Sequence, residues 1–350
     1  MLEAELHPRL TRIKIQEFRT EAESAVRSGE LRKLIRLLGP VPGDPLPQDV
    51  PAFQPTFDVA EIEREARVIR EGALARGLDI SEQFTQAMVF MRHIMVPVKD
   101  PALGLALSRI WSIVLSTDLE SEYERDLSFL VLKHASGVAH QPSPLTDYID
   151  HAFAEIGHYC DTEFLALFKS LFYRAYVGFL FEVMVVQAGA ERTAHSARYI
   201  RDQNGFGEFW YITLQFIDER LSFSRNPMFW VDTIEAGRDF IGLANDVFSF
   251  YKEALAPADF ENSYLFRQSA VQKRPFLDVF KETVDTTLRS YQAILEAASS
   301  GPPELRAHVE YYLKSFLFYH VRSSRYQLRD VYPELRYWDE LPPPAPGLVG

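Results

Sequence analysis

Between residues 58 and 335, apolar positions recur at i, i+3, i+4 and i+7 almost without interruption. That is the period of α-helices with one face turned inward. VAEIEREARVIREGAL, LGLALSRIWSIVL, EFLALFKSLFYRAYVGFLFEVMVV and HVEYYLKSFLFYHV all show it. Strand-like alternation bounded by turn residues is scarce. HQPSP (140–144), SRNP (224–227) and SSGPP (299–303) interrupt the pattern, because each proline fixes φ and removes a donor. EFRTEAESAVRSGELRKLIRLL near the start reads as helical, and GPVPGDPLPQDVPAFQP (39–55) as an extended connector. The pattern predicts an all-α protein with an N-terminal helical segment and Pro-rich connector (1–57), one helical domain (58–335) and a Pro-rich tail (336–350). No fixed-period repeat occurs, which argues against a solenoid.

A chain of 350 residues carries a weak expectation of two domains, but no shift in composition divides residues 58–335. The stretch from Phe164 to Val186 is the most apolar, yet Lys169, Arg174 and Glu182 interrupt it. It predicts a buried helix rather than a membrane span. Aromatic residues make up 13% of the chain, and several helices are apolar on more than one face. A solid core and a central apolar cavity both produce that pattern.

Charge narrows the partners. There are 37 Lys and Arg against 49 Asp and Glu, a net charge of −12. A protein of that sign is a poor binder of a nucleic-acid backbone, although a local basic pocket for a small anion stays open. The sole cysteine, Cys160, makes neither an internal disulfide nor a multi-cysteine zinc site. The first residues, MLEAELHPRLTRIKIQEF, lack the apolar core of a signal peptide. A soluble, cytoplasmic protein is the expectation.

The most informative stretch is ANDVFSFYKE (244–253). Asn245, Ser249 and Glu253 are spaced by four, so on a helix they form one slowly drifting stripe. The stripe offers an amide carbonyl, a hydroxyl and a carboxylate. A hard cation such as Mg²⁺ takes oxygen ligands of this kind and completes its shell with water or phosphate oxygens. Lys252 stands beside Glu253 and can meet the same phosphate. A solvated polar face gives the same spacing, but RDFIGLA upstream and the interleaved VF and FY make this helix mostly apolar, and buried oxygens need partners.

NDVFSFYKE resembles the second metal-binding motif of class I terpene synthases, and its SFYKE ending is most similar to the fungal trichodiene-synthase-like sesquiterpene cyclases. Three further landmarks of that family can be sought. LSRIWSIVLSTDLESEYE ends in Asp118-Leu119-Glu120-Ser121-Glu122, which resembles the family's acidic motif with Asp118 and Glu122 at its first and fifth positions. Leu119 departs from the usual Asp or Asn. A register with Ser116-Thr117 at the acidic pair is the alternative, and a solvated acidic helix end is the plain reading. YIRDQNGFGEF supplies Arg201, Asn204 and Gly205, which match the family's diphosphate-sensing arginine and the helix break after it, with Asn204 where relatives often have Asp. A helix C-cap is the plain reading there. FLFYHVRSSRYQLRDVY supplies Arg325-Tyr326, similar to the family's Arg-Tyr pair on the last long helix, although Arg322 and Arg329 on either side also make a generic basic face.

The resemblance spans roughly residues 58–330 and implies a class I terpenoid synthase bundle around a central apolar cavity. It implies three Mg²⁺ ions held by Asp118 and Glu122 on one wall and by Asn245, Ser249 and Glu253 on the other. Arg201, Lys252, Arg325 and Tyr326 would bind diphosphate, and the Gly205 carbonyl would face the ionising carbon. Trp111, Phe206, Phe209 and Phe248 are the candidate pocket aromatics for stabilising a carbocation. The implied substrate is farnesyl diphosphate and the implied product a cyclic sesquiterpene. A geranyl or geranylgeranyl substrate and a non-catalytic isoprenoid-diphosphate binder are the rivals. A homodimer is expected by the same resemblance. His151, His158 and Cys160 lie near one another without a zinc-ligand spacing. G-x-S-x-G, P-loop and DxDD motifs are absent, as is a second aspartate-rich motif.

Overall fold

Thirteen α-helices carry most of the residues that the computed structural model describes, which are 12–39, 52–117, 143–187, 194–255 and 263–340. They are α1 (Arg12–Arg27), α2 (Glu30–Ile35), α3 (Val59–Leu74), α4 (Glu82–Met95), α5 (Pro101–Thr117), α6 (Pro144–Ile156) and α7 (Thr162–Gln187). After them come α8 (Ala194–Asn204), α9 (Gly207–Ile212), α10 (Pro227–Leu255), α11 (Tyr264–Gln272), α12 (Phe276–Ala298) and α13 (Pro303–Arg322). No β-strand occurs among the described residues, so the all-α reading holds.

Short polar side chains start several of these helices. Asp58 accepts from the amides of Ala60 and Glu61 at the start of α3. Ser81 and Ser263 do the same for α4 and α11. Ser143 forms a capping box with Thr146, with Pro144 in the first turn of α6. Each satisfies amides that a helix start leaves without partners.

α10 is the central element. Its 29 residues span roughly 43 Å at 1.5 Å per residue. It packs most extensively on α12, and also on α9, α1 and α13. α7 contains a stretch, Thr162–Phe181, long and apolar enough by length and composition to cross a membrane. Here its Phe164, Phe168, Phe172 and Tyr176, spaced by four, are built into the core. Phe168 stacks on Phe209 at 4.6 Å, and Phe172 meets Phe153 edge-on at 5.2 Å.

The N-terminal helices pack on the same body as the rest. α1 lies on α10 and α12, and Tyr332 Oη donates to the Val26 carbonyl at 2.7 Å. At the other end Trp338, inside the stretch read as a tail, stacks on Phe90 at 4.6 Å. Proline content therefore marks the ends of the helical run, while packing extends further.

One buried ionic hub joins α3, α4 and α5. The Glu65 carboxylate accepts from Arg92 Nη2 at 2.5 Å, His93 Nε2 at 2.9 Å and Ser108 Oγ at 2.5 Å. Arg92 Nε donates to Ser108 Oγ at 3.0 Å. A second close fit joins α7 to the end of α8. A Cβ at Gly178 would lie 2.5 Å from the Asn204 nitrogen, so only glycine lets the two backbones meet there.

Two outcomes follow. Burial raises the Glu65 carboxyl, but His93, Arg92 and Ser108 outweigh it and hold the group at about 2, below its ordinary 4.5. That displacement is worth about 3 kcal/mol, present above pH 4.5 and lost as pH falls toward 2. Thermal unfolding across that window should show the acid loss, and Glu65→Gln should flatten it while lowering stability at neutral pH by about 3–5 kcal/mol. Gly178→Ala should cost about 1–3 kcal/mol by overpacking, read as a lower midpoint in denaturant.

Candidate active site

The second half of α10 carries the oxygen stripe. Ile241, Asn245, Ser249 and Glu253 follow one another on one face, and all four line a cavity of about 150 Å³. Lys252 joins them. The stripe ends near the helix C-terminus at Leu255, where the helix dipole favours a cation.

The other walls come from separate elements. α8 and the break after it supply Arg201, Asn204, Gly205 and Phe206. Arg325 and Tyr326 come from a short 3-10 turn, Ser324–Tyr326, after α13. The expectation placed this pair on the last long helix. That helix instead ends at Arg322, and Ser323 turns extended and caps the following turn. Arg322 and Arg329 point to other uses: their side chains donate to the carbonyls of Arg336 and Leu335. Apolar walls come from Met88, Met91, Val114, Phe179, Trp210 and Phe316.

Arg201 is the most connected group in the cavity. Its Nε and Nη2 clasp Asp246 at 3.0 and 2.8 Å. Nη2 also donates to the Gly242 carbonyl at 3.0 Å and to Asn245 Oδ1 at 3.1 Å. Burial pushes the Asp246 carboxyl above its ordinary range against the pull of this guanidinium. A row of ion pairs extends the seam between α8 and α10, with Arg198 on Asp239 at 2.5 Å and on Asp202 at 2.8 Å.

The break between α8 and α9 differs from expectation in its mechanics. A glycine at such a break ordinarily supplies the unusual backbone angles. The left-handed residue is instead Phe206, at φ 51° and ψ 17°, a conformation that costs a bulky residue on the order of 1–3 kcal/mol. Gly205 serves close approach, since a Cβ there would lie 2.8 Å from the Arg201 carbonyl oxygen. The Phe206 ring is held by Tyr176 at 5.6 Å, Phe209 at 5.8 Å and Phe172 and Phe179 at 5.9 Å.

Of the four candidate pocket aromatics, Phe206 alone lines the cavity. Trp111 is fully buried behind it, edge-on to Trp210 at 4.6 Å. Phe209 stacks on Phe168, and Phe248 packs 5.6 Å from the His320 ring. Helical period identified their faces as buried, and core neighbours rather than open space cover them. Trp210, Phe316 and Tyr319 stand at the cavity instead.

The donor set suits a hard cation. Asn245, Ser249 and Glu253 offer neutral and acidic oxygens along one helix face. Ser249 Oγ is buried without a hydrogen bond of normal geometry, next to the Glu253 carboxyl, which burial raises to about 7. A buried hydroxyl with no well-formed hydrogen bond, beside a carboxyl that resists ionisation, is an arrangement that a bound cation would resolve. No three His, Cys, Asp or Glu side chains converge on a metal position among the described residues. Asp118 and Glu122, the expected acidic wall, lie outside the described residues, as does most of the segment after Leu255.

Asp246 and His320 were missed from sequence. Both are buried polar groups on apolar helices: Asp246 is adjacent to Asn245, and His320 lies in FLFYH. Each was visible as a polar residue needing a partner. His320 donates from Nδ1 to the Phe316 carbonyl at 2.8 Å and accepts at Nε2 from Asn245 Nδ2 at 3.2 Å. Burial lowers the imidazole to about 3.

Sequence and fold comparisons set this chain beside terpene synthases. A model of the trichodiene synthase family matches residues 176–339, which include the break, the α10 stripe and the Arg-Tyr turn. The (E)-beta farnesene synthase of Metarhizium brunneum is 28% identical over 92 residues, 26% of this chain and 27% of that protein. That match thus spans about a quarter of the relative's length. The 2-methylisoborneol synthase of Streptomyces coelicolor A3(2), in complex with Mg²⁺ and 2-fluorogeranyl diphosphate, superposes with a TM-score of 0.60. It is 16% identical, and the superposition covers 82% of this chain and 97% of that one. The linalool/nerolidol synthase of Streptomyces clavuligerus, in complex with 2-fluorogeranyl diphosphate, gives 0.54 at 13% identity over 81% and 100%. The chain therefore has the class I terpene synthase fold and resembles the trichodiene synthase family through residues 176–339, which carry most of this cavity.

Proposed function

We propose that this chain ionises an isoprenyl diphosphate and cyclises the allylic cation that results, with farnesyl diphosphate as substrate and a cyclic sesquiterpene as product. One observation carries the reading: Arg201, Asn245, Ser249, Lys252, Glu253, Arg325 and Tyr326 share a single cavity with an apolar wall. Few other chemistries need oxygen donors, cations and a hydrocarbon surface in one enclosure.

Each group then has a task. Lys252 and Arg325 attract the diphosphate, and the Tyr326 hydroxyl donates to it. Asn245, Ser249 and Glu253 would hold Mg²⁺, with Asp118 and Glu122 as proposed partners and three ions as the proposed count. Bound Mg²⁺ would neutralise the charge that grows on the leaving diphosphate. Arg201 donates to Asn245 Oδ1, the same oxygen that this reading assigns to a cation. The two uses compete, so substrate binding frees the guanidinium to turn toward the diphosphate. The C–O electron pair leaves with the diphosphate, which can later take the proton lost from the cyclised cation. Phe206 and Trp210 present ring faces or edges to the apolar part, where a cation–π contact is worth on the order of 0.5–2 kcal/mol.

A geranyl substrate is the second reading. The cavity holds about 150 Å³, below the roughly 300–1,000 Å³ typical of ligand sites. Both structural relatives named above were captured with a geranyl analogue. A farnesyl chain requires the walls to open further.

Incubation of the protein with geranyl, farnesyl or geranylgeranyl diphosphate, with Mg²⁺ or EDTA, tests both readings by gas chromatography–mass spectrometry. A Mg²⁺-dependent cyclic C15 product is expected, and a C10 product alone would favour the second reading. Asn245→Ala and Glu253→Ala should each lower turnover at least about 10²-fold. If neither substitution changes turnover, or if no substrate releases diphosphate, the reading fails and a binding role replaces it.

A further inference from the structure

The Asn245 side chain has an oxygen end and a nitrogen end, and its neighbours dictate which is which. Arg201 has only donors to offer, so the end 3.1 Å from its Nη2 is the oxygen. The other end faces His320 Nε2 at 3.2 Å and Tyr326 Oη at 3.4 Å. On the far side of the imidazole, Nδ1 lies 2.8 Å from the Phe316 carbonyl, which can only accept. Nδ1 therefore bears the proton, and Nε2 turns its lone pair toward the Asn245 amide.

The ring itself has little freedom. It is 1% exposed, with Phe316 at 4.4 Å, Tyr326 at 4.5 Å and Tyr319 at 5.2 Å, centroid to centroid. Its backbone anchor lies one turn back on α13, a different helix from the one that carries Asn245. His320 thus ties the orientation of a side chain on α10 to the frame of α13.

We infer that His320 is a positioning residue: by accepting from the Asn245 amide nitrogen, it turns Asn245 Oδ1 into the cavity as a cation donor alongside Ser249 and Glu253. The inference rests on the reading of those three residues as the cation site. Without this acceptor, and once Arg201 has turned to the diphosphate, only the longer contact to Tyr326 Oη at 3.4 Å holds the amide nitrogen on that side. When it flips, it presents an NH₂ group where a cation requires an oxygen. Partners of this kind behind a metal ligand are typically worth about 10–100-fold in metal affinity.

Mn²⁺ replaces Mg²⁺ in the test because its electron paramagnetic resonance signal reports binding directly, without turnover. Full-length wild type, His320→Phe, His320→Gln and Asn245→Ala are titrated with Mn²⁺ in the presence of inorganic diphosphate. His320→Phe removes the acceptor and keeps the bulk, and it should weaken Mn²⁺ binding at least about tenfold. His320→Gln retains an acceptor and should recover most of that loss. In turnover, the Mg²⁺ concentration for half-maximal rate should rise in His320→Phe, with kcat largely restored at saturating Mg²⁺. Equal Mn²⁺ affinity in wild type and His320→Phe overturns the inference while leaving the cation site standing. Equal affinity in wild type and Asn245→Ala removes Asn245 from the cation site and takes the inference with it. If His320→Phe fails to fold, His320→Met replaces it against His320→Gln, and equal affinity in that pair also overturns the inference.

Discussion

The contact between Arg201 and α10 is the constraint on which the cavity depends. One guanidinium satisfies Asp246, the Gly242 carbonyl and Asn245. It joins the end of α8 to the middle of α10, where the Asp246 carboxylate is buried. Leaving either charge without the other would cost about 3–5 kcal/mol. The clasp sits in the last turn of α8, just before the chain breaks into α9. It also occupies the Asn245 oxygen, which makes the same contact both a structural tie and an obstacle that substrate must displace.

Around that clasp, packing converts a costly backbone into a fixed one. Phe206 occupies the left-handed region, and its ring is enclosed by five aromatic neighbours from α7 and α9. Gly178 and Gly205 give the room that this requires. Strain held by surrounding structure is common where a site must be organised before its ligand arrives. The apolar walls and the polar stripe thus share supports: α7 braces the break, the break carries Arg201, and Arg201 orients α10.

Much of this was legible in the sequence, for reasons that also explain what was not. A spacing of four on a helix is a geometric statement, so Asn245, Ser249 and Glu253 were bound to share a face once α10 was helical. Arg201, at a helix end before a glycine, was legible through the family resemblance rather than through spacing. Period alone says which face of a helix is buried and not what buries it. That is why Trp111, Phe209 and Phe248 lie behind the cavity while Trp210 and Tyr319 face it. At the break the left-handed residue is Phe206 rather than the glycine before it, held there by tertiary packing that sequence does not show. Arg325 and Tyr326 reached the cavity from a turn rather than a helix, because Ser323 ends α13 three residues early. His320 was unreadable as a partner, since its role depends on contact across 75 residues of sequence.

The most direct test of this account is a crystal structure of the protein with Mg²⁺ and an unreactive fluorinated farnesyl diphosphate. The account predicts the diphosphate between Arg325 and Lys252, with Asn245 Oδ1, Ser249 Oγ and a Glu253 oxygen coordinating metal. Arg201 would be turned from Asn245 onto the diphosphate, and the hydrocarbon chain would lie against Phe206 and Trp210. A diphosphate bound elsewhere, with Arg201 still donating to Asn245 and no metal on the α10 stripe, would contradict it.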